Sequence, residues 1–291
     1  WADDQDPFAG YLGITNAYLG RTQSTGQNLL NNEILSFDQY FGRSTFNGQI
    51  GFEYQSQISD GFSASNTGLV NGISVLNATS GTPIVKGGLA EIFRLSYFSQ
   101  FNYAFANKYF LTGSYRRDGS SKFGSANRYG NFYSGSAGWL VSGEKFMKEM
   151  LKTISNLKLR VSYGATGNDN FSNYSAVETF SLGANYNFQA GASPTQYANP
   201  NLTWEKALTT NFGIDLSLWK KIDLTFDLYN TKNKDILYQV PLDPSTGFDL
   251  GWKNIGSVQN KGFEFSVSGN IINKKNFKWY TNLSLAYNHN E

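Results

Sequence analysis

His289 is the only histidine among 291 residues, and there is no cysteine. Those two counts remove most hydrolytic and metal chemistry. A Ser–His–Asp triad and a multi-histidine metal site both need imidazoles that the chain lacks. Thiolate-bound metals and a disulfide framework need cysteine. His289 sits near a strand end, where an interfacial role suits it better than chemistry. Asp223 and Asp227 fall on one face of an alternating segment and could form a carboxylate pair. Without an imidazole or a perturbed partner, they read as the lining of a wet surface rather than as acid and base. Arg116 to Gly124 (RRDGSSKFG) sets Gly and Ser beside basic residues, as anion-binding loops do. It lacks P-loop spacing and does not lead into a helix, so it reads as a loop turning at Asp118-Gly119. Asp3, Asp4 and Asp6 invite a calcium reading, but their spacing is not that of an EF-hand loop, and a solvated acidic end fits better. A net charge of +2 is too balanced to imply nucleic acid. The expectation is no enzyme, no cofactor and no metal.

What remains is binding by aromatic rings. Tyr186, Tyr197, Tyr238, Phe248 and Trp252 fall in stretches that read as long loops, where they could stack on a sugar or meet a partner surface. A second set comprises Tyr97, Tyr109, Tyr115, Trp139, Trp204, Trp219 and Trp279, read as lying near strand ends. Their amphipathic rings favour the headgroup level of a bilayer and would anchor the protein vertically.

Both sets need elements to position them. Hydrophobic residues make up 40% of the chain and mean hydropathy is −0.40. No stretch approaches the roughly 18 consecutive apolar residues of a membrane-spanning helix. A barrel strand, however, shows lipid only every second residue, so its mean hydropathy stays low. Aromatics at 16%, 30 glycines and only 16% charged residues suit barrel walls, girdles and tight turns.

Period-2 alternation bears this out along the chain. Phe212, Ile214, Leu216 and Leu218 face one way, against Asn211, Gly213, Asp215 and Ser217. After Lys220-Lys221, the residues Ile222, Leu224, Phe226 and Leu228 oppose Asp223, Thr225 and Asp227, which makes a hairpin. These eight apolar residues are expected to face lipid. Similar runs surround Phe52, Phe101, Leu159, Phe265 and Leu285. The pattern gives about ten strands of about 9–14 residues, near the length that crosses a tilted bilayer.

Connections alternate in length. Short ones fall at Phe41–Arg43, Ala106-Asn107, Lys220-Lys221 and Asn273–Asn276; long polar ones span Gln57–Ala90, Arg117–Tyr129, Ala165–Thr203 and Asn230–Gln259. Outer-membrane barrels have short periplasmic turns and longer extracellular loops. Glu144–Ser155 (EKFMKEMLKTIS) reads as a small amphipathic helix on the short, periplasmic side, with Phe146, Met150 and Leu151 apolar. A secreted sandwich would have strands of about 5–6 residues and no two-sided loop bias. The expected fold class is therefore all-β, a transmembrane antiparallel β-barrel.

Four stretches resemble the SusC/RagA family of TonB-dependent outer-membrane transporters. They are Tyr109–Trp139 (YFLTGSYRRDGSSKFGSANRYGNFYSGSAGW), Glu144–Asn168, Asn199–Lys206 (NPNLTWEK), and Asn254–Gly256 (NIG) with Gln259–Phe265 (QNKGFEF). They occur in the family's order between about Leu29 and Glu291. The resemblance implies a wide barrel of the roughly 22-stranded plugged class. It implies a SusD-like surface lipoprotein as lid, an oligosaccharide or peptide substrate, and energy delivered by TonB through an N-terminal segment. Residues 1–291 would be part of that barrel domain, with plug, TonB box and terminal strands lying elsewhere. A passive porin-like channel and a surface scaffold or adhesin are the alternatives. A plug encoded upstream would rule out the first; for the second, the sequence offers no catalytic constellation for a displayed enzyme.

Overall fold

The computed structural model describes residues 18–69, 75–184 and 186–291, so Asp3, Asp4 and Asp6 lie outside the described residues. Twelve strands are present among those described: β1 Tyr18–Phe41, β2 Ser44–Thr67, β3 Ile84–Phe105, β4 Tyr109–Ser120, β5 Tyr129–Leu140, β6 Ile154–Asn168, β7 Thr179–Leu182, β8 Ala192–Gln196, β9 Glu205–Leu218, β10 Ile222–Pro241, β11 Leu250–Lys274 and β12 Phe277–Asn290. Ten of them form one sheet in the order β1-β2-β3-β4-β5-β6-β9-β10-β11-β12. Each strand therefore pairs with its sequence neighbour, except that β7 and β8 make a separate hairpin between β6 and β9. Such an up-and-down order is that of barrel walls.

The chain divides into two compact units: residues up to Asn31 with Tyr54–Phe93, and Asn32–Glu53 with Arg94–Glu291. The first holds the loop-side portions of β1, β2 and β3. In it, buried Asn66 accepts from the Thr67 backbone N–H at 2.8 Å and donates to the Gly81 carbonyl at 3.2 Å, tying down the β2–β3 connection. Everything described below belongs to the second unit.

Register turns the alternation of single strands into rows across the sheet, because directly opposed residues share a face. Leu159, Ile214, Phe226, Phe265 and Leu285 align across β6, β9, β10, β11 and β12. So do Leu157, Leu216, Leu224, Val267 and Leu283, and also Val161, Phe212, Leu228, Phe263 and Tyr287. The interleaved rows are polar: Lys158, Asp215, Thr225, Ser266 and Ser284 make one. No member of these apolar rows is buried: most on β6 to β11 are half-buried, and Leu283 and Leu285 on the edge strand β12 are 61% and 56% exposed. In water, a contiguous apolar surface of this kind is a liability.

Tight turns close one end of the sheet. At Trp219-Lys220 and Ala106-Asn107 both central residues have positive φ, 52° and 55° in the first and 54° and 52° in the second. That geometry matches the right-handed twist of the strands it joins. The other end carries the longer connections 121–128, 169–204 and 242–249.

Two expectations are corrected. Residues 144–155 form no α-helix; the β5–β6 connection is three short 3-10 turns, Val141–Gly143, Lys145–Met147 and Met150–Lys152. An isolated segment this short gains too few hydrogen bonds to offset helix nucleation. The long loops are also shorter than expected, since β10 and β11 continue as a ladder to Pro241 and Leu250. At Thr231-Lys232-Asn233-Lys234 both faces of β10 carry polar side chains, so the period-2 pattern fades while backbone pairing persists. Tyr238 and Trp252 therefore lie in strands rather than loops.

Candidate functional site

The polar face carries an ion-paired ladder. Arg160 on β6 is opposed by Gly213 on β9, and Gly213 by Asp227 on β10. A Cβ on Gly213 would sit 2.5 Å from the Arg160 guanidinium carbon, so the missing side chain is what lets the guanidinium cross β9. It grips Asp215 with two bonds, Nε to Oδ2 at 2.8 Å and Nη2 to Oδ1 at 2.9 Å, and reaches Asp227 at 3.2 Å. Bidentate guanidinium–carboxylate pairs of this kind fix geometry as well as energy. Asp223, weighed as a carboxylate pair with Asp227 and read as lining, accepts from the Ser217 hydroxyl at 2.6 Å. Nothing in this group sets one carboxyl against another as acid and base.

At the long-loop end a second network gathers on Asp169, the first residue after β6. Arg94 donates to both its oxygens, at 2.9 and 3.3 Å, and the fully buried Ser120 hydroxyl donates at 2.8 Å. Lys122, from the RRDGSSKFG stretch, donates to the Asp169 and Phe171 carbonyls at 3.2 and 2.8 Å. Anion binding by that stretch is thereby displaced: its lysine is spent on backbone oxygens within the protein.

Beside this network lies a packed apolar cluster of Phe123, Phe132, Phe171, Leu202, Trp204 and Leu237, with Trp252 against it. Trp204 stands 4.9 Å from Phe123 and 5.5 Å from Phe132, ring to ring, and its Nε1 donates to the Arg128 carbonyl at 3.1 Å. Only 6% exposed, Trp204 is not the interfacial anchor its place before β9 implied. The cluster clamps the 169–204 connection. Gly124 permits this, since a Cβ there would meet the Pro200 carbonyl oxygen at 2.4 Å.

Side-chain amides complete the clamp. Asn199 donates to the Trp252 carbonyl at 2.8 Å. Asn254 accepts from the Thr203 N–H at 2.9 Å and donates to the Thr203 and Asp235 carbonyls, each at 2.8 Å. Asp235 and Gly256 have φ of 56° and 67°, in the left-handed region. They drop out of the β10–β11 register between Lys234–Ser257 and Ile236–Ile255. The NIG stretch is thus where the register of this hairpin is interrupted, and Asn254 holds it.

Of the five aromatic residues expected to contact substrate or a partner, three converge. Tyr197, Phe248 and Trp252 line one cleft of about 380 Å³, with Gln196, Gln239 and Asp249 supplying polar groups. Tyr197 and Phe248 meet edge to face at 6.1 Å. Tyr186 and Tyr238 are exposed but lie outside the cleft. The expected girdle residues separate into two levels on the apolar face. Tyr109 and Trp139 stack at 6.5 Å beside the short turns, with Trp219 in a turn itself. Tyr115 lies six residues farther along β4, about 20 Å at strand rise. Trp279 is on β12, close to its turn. Arg94, Ser120, Asp169 and Phe132 escaped sequence reading; the acidic Asp169 following a Gly-Asn strand end was the available signal.

Asp169 gives this end of the protein an acid dependence. Burial disfavours its charge, but hydrogen bonds from Arg94 and Ser120 and the charges of Arg94 and Lys122 outweigh that and hold its carboxyl below the usual carboxylate range. A depressed folded-state value stabilises the fold above the unfolded value of about 4 and loses that contribution as pH falls through the folded value. Proteolysis of the 169–204 connection should accelerate as pH drops below about 4. Asp169→Asn should be cut faster at neutral pH and show little further change on acidification.

Comparison with known proteins followed the same lines. The family model for TonB dependent receptor-like β-barrels matches residues 1–291. TonB-dependent receptor P3 of Formosa agariphila is 34% identical over 271 residues, which is 91% of this chain and 27% of that protein. TonB-dependent receptor SusC of Bacteroides thetaiotaomicron is 36% identical over 206 residues, 68% of this chain and 20% of that protein. The RagAB peptide transporter superposes with a TM-score of 0.83 at 28% identity, over 95% of this chain and 31% of that one. The chain thus spans between a fifth and about a third of these three proteins.

Proposed function

Because this chain belongs to the TonB dependent receptor-like β-barrel family of the bacterial outer membrane, we propose that it forms part of the wall of an energy-coupled importer built like SusC. Phe212, Ile214, Leu216, Leu218, Ile222, Leu224, Phe226 and Leu228 meet lipid in this reading. The opposite face, with Arg160, Asp215 and Asp227, lines a wet lumen. The observation that carries it is the register: apolar rows stay apolar across five strands with none of their members buried, while the ion pairs sit on the other side. Hydrocarbon is the solvent that makes such an arrangement stable.

The substrate is a peptide or an oligosaccharide. Peptide is the cargo of RagAB, and the aromatic and amide groups of the Tyr197–Phe248–Trp252 cleft suit either class. A SusD-like surface lipoprotein covers the long-loop end as a lid. TonB acts through a segment outside this stretch, and the wall itself performs no catalysis.

Orientation and lid are tested together by labelling single introduced cysteines in the intact protein on whole cells. Ser245→Cys, in the connection after β10, should react with a membrane-impermeant maleimide, and Lys221→Cys should not. Co-expression of the lid should slow labelling at position 245 several-fold. Labelling at 221 in place of 245 would invert the wall, and labelling at 245 that ignores the lid would remove the partner.

A further inference from the structure

The β5–β6 connection has no task in the import reading. It is not a loose loop. Val141 and Met147 are buried at 7% and 5% exposure, so the segment is packed against the wall. Yet Phe146 is 66% exposed and Met150 51%, and Leu151 is open beside them. Lys145, Lys148 and Lys152, all exposed, are interspersed with these apolar side chains. An ordered segment that shows water both a phenyl ring and a thioether is mismatched to water.

Its position names a better solvent. Glu144 accepts from the Tyr109 hydroxyl at 2.8 Å, from the Trp139 indole N–H at 3.4 Å and from the Lys108 ammonium at 3.0 Å. Tyr109 and Trp139 are opposed to each other, and Phe105 and Leu159 continue their row, so both rings stand on the apolar face. The segment therefore leaves the wall at the foot of that face. The hydrogen bonds from Tyr109, Lys108 and Trp139 hold the Glu144 carboxyl below its usual range, which keeps this attachment charged at neutral pH. At the far end the Trp219 N–H donates to the Thr153 carbonyl at 2.8 Å, and the Lys220 N–H donates to the Ser155 hydroxyl at 3.1 Å. Those bonds bring exposed Trp219, Lys220 and Lys221 alongside. The result is a segment joined to the foot of the apolar face at Glu144, showing three apolar side chains rimmed by five exposed lysines and a single exposed carboxylate, Glu149.

We propose that residues 144–152, with the Trp219–Lys221 turn, form a foot that lies in the headgroup layer of the periplasmic leaflet. Phe146, Met150 and Leu151 insert among the acyl chains, and the lysines bind phospholipid phosphates. This rests on the reading that the apolar face meets lipid. The composition is that of an in-plane membrane anchor: apolar side chains on one side, lysines whose stems can reach along apolar surface to the headgroups on the other. The occupant is fixed by continuity and charge. The segment joins the foot of the surface already assigned to acyl chains, and the cations stand where phosphates begin.

The test uses the intact protein, with any other cysteines replaced by serine, in phosphatidylethanolamine–phosphatidylglycerol vesicles. A nitroxide is attached at Phe146→Cys, at Met150→Cys, at the wall reference Leu216→Cys, or at the aqueous reference Ser245→Cys. Collisions with oxygen should exceed collisions with a water-soluble nickel chelate at 146 and 150, as at 216. If 146 and 150 match 245 while 216 does not, the foot is overturned and the lipid-facing wall stands. If 216 also matches 245, the lipid-facing reading fails and the foot falls with it. Lys145→Gln, Lys148→Gln and Lys152→Gln should each weaken phosphatidylglycerol retention about fivefold, as expected for one cation near an anionic surface. Unchanged retention in the triple variant would overturn the phosphate contacts.

Discussion

Phe226→Arg should destabilise the folded barrel by about 2–4 kcal/mol, while Thr225→Arg, one residue away, should be tolerated. The contrast follows from register. Phe226 is opposed by Ile214 on one side and Phe265 on the other, and its ring lies 6.2 Å from that of Phe263. It stands four residues above the first residue of β10, about 13 Å along the strand and about 10 Å in height at the usual tilt, within a few ångström of the middle of an apolar band about 25 Å tall. A guanidinium there has no water and no counter-ion within easy reach. Thr225 is opposed by Asp215 on the wet face, so an arginine there gains a carboxylate neighbour. Leu218→Arg, at the rim, should cost only about 0–1 kcal/mol, because the side chain reaches the headgroups. Denaturant midpoints of the three variants of the intact protein, refolded into lipid, read these differences directly. Equal losses at 225 and 226 would mean that both faces share one solvent, and the membrane assignment would fail.

Trp204→Ala should cost about 3–5 kcal/mol, felt at the loop end rather than through the whole wall. Its ring fills the space between Phe123 and Phe132, and its N–H satisfies the Arg128 carbonyl. Removing it leaves a cavity at the centre of a cluster of buried apolar residues and frees the start of β9 from the β4–β5 loop. Hydrogen exchange should speed up between residues 169 and 204 and at residues 121–128, with β10 and β11 below Lys234 unchanged. Trp204→Phe should retain most of the packing and lose the hydrogen bond, at about 1 kcal/mol. Exchange that rises uniformly over every strand would show that the cluster is part of one global core instead of a local clamp.

Which parts of this were legible in the sequence follows from where one solvent meets another. Phe212 to Leu228 announced their face because every second residue had to be apolar and its neighbours did not. That contrast vanishes at Thr231-Lys232-Asn233-Lys234, where β10 continues with polar side chains on both faces, so the ladder up to Pro241 left no trace in hydropathy. Register is a second blind spot. Asp227 looked like a partner for Asp223 because they share a strand face; Arg160, its actual partner, is 67 residues away and arrives only through two strand pairings. Trp204 shows a third. A tryptophan just before a strand suits an interface, and only the approach of Phe123 and Phe132, more than 70 residues away, buries it. Tyr109 and Trp139, by contrast, were identifiable as girdle candidates because strand ends are set by turn chemistry.

The overlength of β10 and β11 bears on how this end of the molecule greets an arriving molecule. β10 has 20 residues, whereas a tilted crossing needs about 11, so roughly 30 Å of paired ladder stands proud of the bilayer. A hairpin braced by cross-strand hydrogen bonds, pinned by Asn254 and capped by the short turn at Pro244–Thr246 has already lost its chain freedom during folding. Docking against it freezes few additional torsions. Under the proposed function, recognition at the mouth would therefore be tight over a small contact area, in the manner of a rigid epitope.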